Sequence, residues 1–465
     1  MSSLIATFVY VFGICVLFWL ERDPGYRPSP ALWLAVASLL ISGSRPLTSW
    51  VQSQQQVSME QYTEASPVDA IVALVLIVAG GVVLAGRSGQ IARFIRANPT
   101  VVLFVFYCAL SVFWSDYPGI TFKRWIRLLG DFMPILIVLT NRDPARAIKW
   151  VLIRVAFIVL PVSILLIKYY PGLSRYYDTW TGMGYVSGVS TDKNMLGALC
   201  LVYGAAVLFC FVGLWHQRNS RIRNRRLVAY GVVLAMLFWL FSLAHSMTAL
   251  SCFCFASFLI VITGTFKIAR KLSIVHLLVT GIIGTAFSVL FLHIGEDAAL
   301  AQLGRNSTLT GRTDIWSGLL QFAGNPLVGT GYETFWLGER MTRIWQSGGI
   351  LLGINEAHNG YLEVYLNLGW IGVALLAALI VTGYRNVLAT LRHDFDAATL
   401  KLAFFVLAIV YSFTEAGFRA GSPVWFAFFF AIFAVPAAPI LRHSRWQNKD
   451  RLKESEPKLV TVASH

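Results

Sequence analysis

The chain has 465 residues, 57% of them hydrophobic and only 13% charged, with a mean hydropathy of +0.65. Soluble domains run near about 45–50% apolar and about 25% charged, so this composition excludes a soluble globular protein. The net charge of +15 is not a nucleic-acid footprint, because the basic residues cluster in short loops between apolar blocks, as membrane proteins place them.

The apolar residues fall in blocks of roughly 17–23, the length that takes a helix across a bilayer. Alternating barrel strands are not seen, and backbone groups in lipid must be satisfied within the segment. The predicted fold is therefore all-α: a polytopic integral membrane protein of about 12–13 transmembrane helices. The first block, Leu4 to Leu20, lacks a preceding Lys or Arg and a following small-x-small site, so a retained span is expected rather than a signal peptide. Further blocks lie near 31–44, 68–86, 100–115, 120–140, 147–168, 194–215, 227–246, 248–264, 274–292, 361–383, 401–417 and 424–441, the one at 31–44 being short. The expected organisation is one transmembrane helical domain, 1–441, with a large outward-facing loop near 293–360 and a basic cytoplasmic tail, 442–465. Six cysteines all sit inside apolar blocks, and none forms a Cys-x-x-Cys pair. They read as small core residues.

Orientation follows from counting Lys and Arg. The segments 21–30, 86–99, 141–150, 216–226, 265–273 and 384–401, with everything after Leu441, hold 25 of the 38 basic residues. The alternate set holds 12, and Arg154 lies within the sixth block. The basic-rich side is expected in the cytoplasm, which turns the polar segment 310–360 outward.

That segment carries Arg, Asp, Glu, His, Asn and repeated Gly in an otherwise apolar chain, and the candidate chemistry gathers at its ends. His358 precedes the eleventh block, where unpaired helix N–H groups favour anions, and Tyr361, Leu362 and Tyr365 share its helical face. Its imidazole suits proton abstraction from a hydroxyl; the competing role is a polar cap on the span. Arg312, between Gly311 and Thr313-Asp314, suits bidentate phosphate binding, or else a local ion pair with Asp314. Lys123, Arg124 and Arg127 open the fifth block, with Asp131 one turn deeper. They either line an aqueous cavity or snorkel to the headgroups. Lys193 opens the seventh block against the helix dipole, which calls for an anionic partner unless it is a solvated loop residue. His245 and Glu415 read as packing residues at membrane depth. No zinc spacing, Walker loop, Ser-His-Asp set or dinucleotide turn is present. The outward segments hold no dense carboxylate set for a metal, and no cofactor is expected.

At these residues the chain resembles the O-antigen ligase and polymerase superfamily of bacterial envelope proteins, most closely its exopolysaccharide polymerases. The resemblance rests on Gly311-Arg312-x-x-x-Trp316, on Asn325-Pro326-Leu327-x-Gly329-x-Gly331, and on His358-Asn359-x-Tyr361-Leu362-Glu363. Asn367-Leu368-Gly369-x-Ile371-Gly372 continues it, and Asp192-Lys193-Asn194 with the entrance of the fifth block are similar to family features. The resemblance implies a multi-pass glycosyltransferase of the bacterial inner membrane with its site facing the periplasm. Its donor would be a polyprenyl-diphosphate-linked oligosaccharide, its surroundings the lipid bilayer and other polysaccharide assembly proteins, and nucleic acid would play no part. The matched His358 would activate the acceptor hydroxyl and Arg312 would hold the donor diphosphate, helped by Lys193, Arg124 or Arg127. Asn359, Tyr361, Glu363 and Trp316 would support them, and no metal is implied where arginines neutralise the leaving group. Ligases carry a Ser-Arg-like element where this chain has Ser246-Met247-Thr248-Ala249, so a second diphosphate-binding Arg is missing at Met247. A ligase acting on a lipid-core acceptor and a polysaccharide transporter are the competing readings.

The orientation is directly testable. A cysteine introduced at Ser347 should react with an impermeant maleimide from the periplasmic side of intact membranes, and one at Ser220 should not. Protection of the Ser347 site would reverse the assignment.

Overall fold

The computed structural model describes residues 2–51, 66–177, 183–215, 217, 220–291 and 308–436. The expected tail at 442–465 and the start of the expected loop, 293–307, lie outside the described residues.

Each apolar block carries a helix. In chain order these are α1 (Ser3–Glu21), α2 (Ala31–Gly43), α3 (Pro67–Ala85), α4 (Ser88–Ala97), α5 (Pro99–Leu110), α6 (Pro118–Leu139), α7 (Pro144–Tyr169), α8 (Lys193–Trp215), α9 (Arg221–Ala244), α10 (Met247–Thr265) and α11 (Leu272–Phe291). Within the polar segment come α12 (Thr308–Leu320) and α13 (Gly338–Gln346), followed by α14 (Gly360–Leu391), α15 (Phe395–Tyr411) and α16 (Pro423–Ile432). The fold is an all-α polytopic membrane protein; one short hairpin, Arg175–Tyr177 with Gly184–Val186, is the strand pair among the described residues. Eight of these helices are long and apolar enough to cross a membrane alone, or nine if the bent pair α4–α5 counts as one span. The other blocks fall short for visible reasons. α2 and α16 are short, α6 carries Lys123, Arg124, Arg127 and Asp131, and α15 has 17 residues including a buried Lys401.

Position in the bundle follows composition. In α16 all ten residues are buried, as expected for a short helix apolar on every side. Its Trp425, Phe429 and Phe433 form a ring stack joined by Phe132 of α6. α7 is buried almost throughout, whereas α1 and α3 keep most of their apolar surface outward, as lipid-facing helices do. Charged side chains inside the bundle find acidic or carbonyl partners. Arg154 of α7 meets Glu21 of α1 at 2.6 Å, and Arg226 at the start of α9 reaches Asp23 at 3.2 Å. This network belongs to the basic-rich end.

α4 departs from the expectation of a simple basic loop over 86–99. It is a separate helix, bent by 92° from the following one. Phe94 is buried while Arg93 and Arg96 point outward, and Asn98-Pro99 provides the corner because a residue before proline avoids helical torsions.

At the opposite end, the polar segment is built into the bundle. α14 breaks at Gly369, which has φ 62° and ψ −167°. A break inside an apolar helix exposes backbone groups that must find partners. The loop Asn325–Gly331 supplies them. The amides of Thr330 and Gly331 donate to Asn367 O at 3.1 and 2.9 Å, and Trp370 N and Ile371 N donate to Pro326 O and Leu327 O at 2.9 and 3.1 Å. Tyr107 of α5 donates to Leu368 O at 3.0 Å. The backbones approach so closely that a Cβ at Gly369 would lie 2.3 Å from Leu327 C, and one at Gly329 would lie 2.4 Å from Asn367 C. Two of the motifs are thus two halves of one backbone junction.

Gly369→Ala should therefore destabilise the protein by about 3 kcal/mol or more, through left-handed torsions and overlap together. Gly281→Ala in α11, where nothing lies within 4 Å, should be neutral or slightly stabilising. Thermal unfolding in detergent, followed by tryptophan fluorescence, compares them; equal midpoints would show that the junction tolerates a side chain.

Candidate active site

His358 stands at the mouth of α14 in the left-handed region, at φ 46°, a conformation that a non-glycine residue keeps only when its surroundings enforce it. Those surroundings come from the neighbouring motif residues. The Asn359 side chain caps α14, accepting from Tyr361 N and Leu362 N at 3.0 and 3.1 Å. Glu363, one turn on, reaches back to accept from Ala357 N at 2.6 Å and from the Trp336 indole at 3.0 Å. Trp316 of α12 donates to Ala357 O at 2.9 Å. Gly360 N donates to Ser412 O at 2.8 Å, and Tyr361 packs between Phe413 and Phe418 while its hydroxyl donates to Ile409 O. Every supporting residue named from the sequence thus acts on the turn that carries His358.

Around the imidazole, charges alternate along a chain. Arg312 Nη2 lies 2.7 Å from Glu415 Oε1, and its Nη1 donates to Thr414 O. Glu415 Oε2 lies 3.2 Å from His358 Nδ1, which is also 3.0 Å from Glu356 Oε1. Glu356 Oε2 faces Arg419 Nη1 at 3.9 Å, and Arg419 Nε faces Glu333 Oε2 at 3.8 Å. The chain ends where Arg124 donates to the Glu333 carbonyl.

Burial alone would lower the basicity of His358. The Glu356 charge and hydrogen bond, joined by Glu415, outweigh it and raise the imidazole to about 10. Glu356 moves the opposite way: burial would raise it, but His358, with Arg419 and Arg312 behind, holds it down to about 2. With Nδ1 committed to carboxylates, Nε2 is the nitrogen left for a substrate. A carboxylate that holds Nδ1–H fixes the tautomer and stabilises the imidazolium formed when Nε2 takes a proton. The side chains of Glu356, His358 and Glu415 also bring three ligand atoms within 4.8 Å of one another. The carboxylates that the outward segments lack as a sequence pattern are therefore gathered by folding. A guanidinium already sits on Glu415 and another faces Glu356, which balances the cluster and disfavours a further cation.

The other sequence candidates are distributed around this core. Arg312 pairs with Glu415, 103 residues away, and not with Asp314. Lys193 has an aromatic partner where an anionic one was expected: its ammonium lies 3.5 Å from the Tyr185 ring centre, and Asp192 instead caps α8 by accepting from Asn194 N and Met195 N. Arg127 and Asp131 meet at Gly421. Asp131 accepts from Gly421 N at 2.8 Å, and a Cβ on Gly421 would come within 3.3 Å of the Arg127 guanidinium. Met247 opens α10 beside the Arg312 contact, since Thr248 Oγ1 lies 3.1 Å from Thr414 Oγ1. Glu415 is corrected: α15 ends at Tyr411 and the carboxylate belongs to the following turn, buried against His358 and Arg312. Glu333, Glu356 and Arg419 were not singled out by sequence. Glu333 and Arg419 interrupt glycine-containing stretches at 331–333 and 415–421, and Glu356 lies two residues before His358.

No family model matches the chain. It is 27% identical over 314 residues to the exopolysaccharide production protein ExoQ of Rhizobium meliloti (strain 1021), an alignment covering 65% of this chain and 68% of that protein. By sequence the chain is a relative of ExoQ.

The linked titrations predict a stability profile. A raised folded-state pKa stabilises below the unfolded value and is lost as pH rises through the folded one. The His358 contribution should therefore be full below its ordinary value of 6.5 and disappear towards about 10. Glu356, being depressed, contributes above its ordinary 4.5 and loses that towards about 2. In lipid nanodiscs, the unfolding-temperature gap between wild type and His358→Gln should shrink steadily from pH 6.5 to 10. A gap independent of pH would mean that the carboxylates do not hold an imidazolium.

Proposed function

We propose that this chain is a membrane glycosyltransferase of exopolysaccharide production, joining polyprenyl-diphosphate-linked oligosaccharide repeats on the periplasmic face of the inner membrane. The observation that carries this reading is the Arg312–Glu415–His358 relay. It sets a guanidinium suited to a diphosphate beside an imidazole whose Nδ1 is already held by carboxylates. The name of ExoQ supports the exopolysaccharide context, and the uneven distribution of basic residues supports the orientation.

In the proposed reaction, the acceptor hydroxyl attacks the anomeric carbon of the donor sugar that is bonded to the diphosphate. A glycosidic C–O bond forms as the C–O bond to the diphosphate breaks, and polyprenyl diphosphate departs with the electron pair. His358 Nε2 takes the hydroxyl proton, and Glu415 and Glu356 stabilise the resulting imidazolium. Arg312 offsets the charge growing on the leaving group, so the reaction calls on no metal ion. A transporter would have no use for a base oriented in this way.

Polymerase and ligase share this machinery and differ in acceptor. Supplied with one lipid-linked repeat and nothing else, the purified protein should produce a ladder of multiples. A single product appearing only after a lipid-core acceptor is added would identify a ligase instead. His358→Ala should abolish turnover while leaving donor binding intact, and Arg312→Ala should weaken donor binding by about 1.5–3 kcal/mol. Because only neutral imidazole accepts a proton, wild-type turnover should climb as pH rises towards about 10. Glu415→Gln lowers that basicity and should bring the plateau to lower pH.

A further inference from the structure

The relay has two ends, and they differ in kind. At the Arg312 end a guanidinium pairs with Glu415 and the Thr414 carbonyl. At the other end lies an open pocket lined among others by Arg124, Glu333, Asn355, Trp336, Glu363 and Arg419. It is one contact removed from His358, through Glu356 and Arg419.

The formal charges in this pocket cancel: two guanidinium groups stand against two carboxylates. A diphosphate would find no net attraction there, which argues against Arg124 as part of a donor clamp. Balanced donors and acceptors beside aromatic rings suit a ring bearing many hydroxyls and no charge. Glu333 is placed at a cost. It sits at φ 58°, where a non-glycine residue is strained. In that conformation its carbonyl receives Arg124, its Oε1 accepts from Ala420 N at 3.1 Å, and its Oε2 faces Arg419. Strain of this kind is kept where a side chain must point into a site.

We propose that this pocket is the acceptor subsite, that it takes an uncharged pyranose, and that Glu333 orients the ring so that one hydroxyl meets His358 Nε2. The inference rests on the transfer reaction above and divides its site: donor diphosphate at Arg312, acceptor sugar at Glu333.

Two probes separate the halves. Undecaprenyl diphosphate reports the donor side, and free glucose and galactose, followed by saturation-transfer NMR on nanodisc-embedded protein, report the acceptor side. Glu333→Gln keeps an oxygen for the Ala420 amide, so it is the milder variant, and Asn355→Ala tests the opposite wall. Both should weaken sugar binding about ten-fold or more while leaving undecaprenyl diphosphate binding within two-fold, which also shows that they are folded; Arg312→Ala should do the reverse. Loss of undecaprenyl diphosphate binding in Glu333→Gln to the extent seen in Arg312→Ala would make the pocket part of the donor clamp and overturn the assignment. Wild-type protein that binds undecaprenyl diphosphate but neither sugar would also overturn it, leaving the transfer reaction standing. Wild-type protein that does not bind undecaprenyl diphosphate would overturn both.

Discussion

The break in α14 at Gly369 is the constraint on which the site depends. An apolar helix cannot simply open, because the freed carbonyl and amide groups have no water to turn to. Here the opening is filled by another stretch of backbone, and the exchange of hydrogen bonds between Pro326–Gly331 and Asn367–Ile371 anchors a polar segment that would otherwise only cover the bundle. Both sides must lack side chains at the crossing, hence glycine at 329 and at 369. Once the junction is made, Thr334, Phe335 and Trp336 are brought under the start of α14, where Asn367 accepts from Phe335 N and Glu363 accepts from Trp336. The turn carrying His358 is then gripped from below by Glu363 and from the side by Trp316.

This arrangement explains what was readable in the amino-acid order. Apolar blocks report lipid or core contact directly, and each one carries a helix. The glycine, asparagine and aromatic positions of the motifs are local needs of a cap, a crossing or an indole contact, so His358, Arg312, Asn359, Glu363 and Trp316 stand out together. Glu415 did not, because the apolar run that contains it continues to the eye through residue 417, while the helix stops at Tyr411. Ser412 O then accepts from Gly360 N and not from a residue of its own helix. Pairings such as Arg312 with Glu415 or Arg124 with Glu333 join residues 103 and 209 positions apart. No periodicity announces them. At Lys193 the compensation that a cation at a helix start needs comes from the ring of Tyr185, which local charge counting does not see.

The relay also shows why its members are found as a set. Removing one partner from a desolvated ion pair strands the other, at a cost larger than the pair's own net worth. Glu415 is buried and serves both Arg312 and His358, while Glu356 serves His358 and faces Arg419. Each carboxylate is therefore shared, and each cation between carboxylates is held by two. Such sharing fixes geometry more than it adds stability, which is what a site for transfer chemistry requires.

Positioning by shared carboxylates has a consequence for substrate charge. In the proposed reaction Arg312, part-buried and oriented by Glu415 and the Thr414 carbonyl, would meet the diphosphate with part of its ordering cost already met. Met247 stands where the resemblance places a second cation, so in the proposed reaction Arg312 would act without an arginine partner there. Nearby cations do not simply replace it. Arg124 and Arg419 are engaged by Glu333 on the far side of His358, and Lys193 lies on Tyr185. His358, which shares Glu415 with Arg312, is a neighbouring cation among the described residues. To act as the proposed base, the imidazolium must first lose its Nε2 proton to solvent, so the carboxylates that hold it set the pH at which transfer can begin.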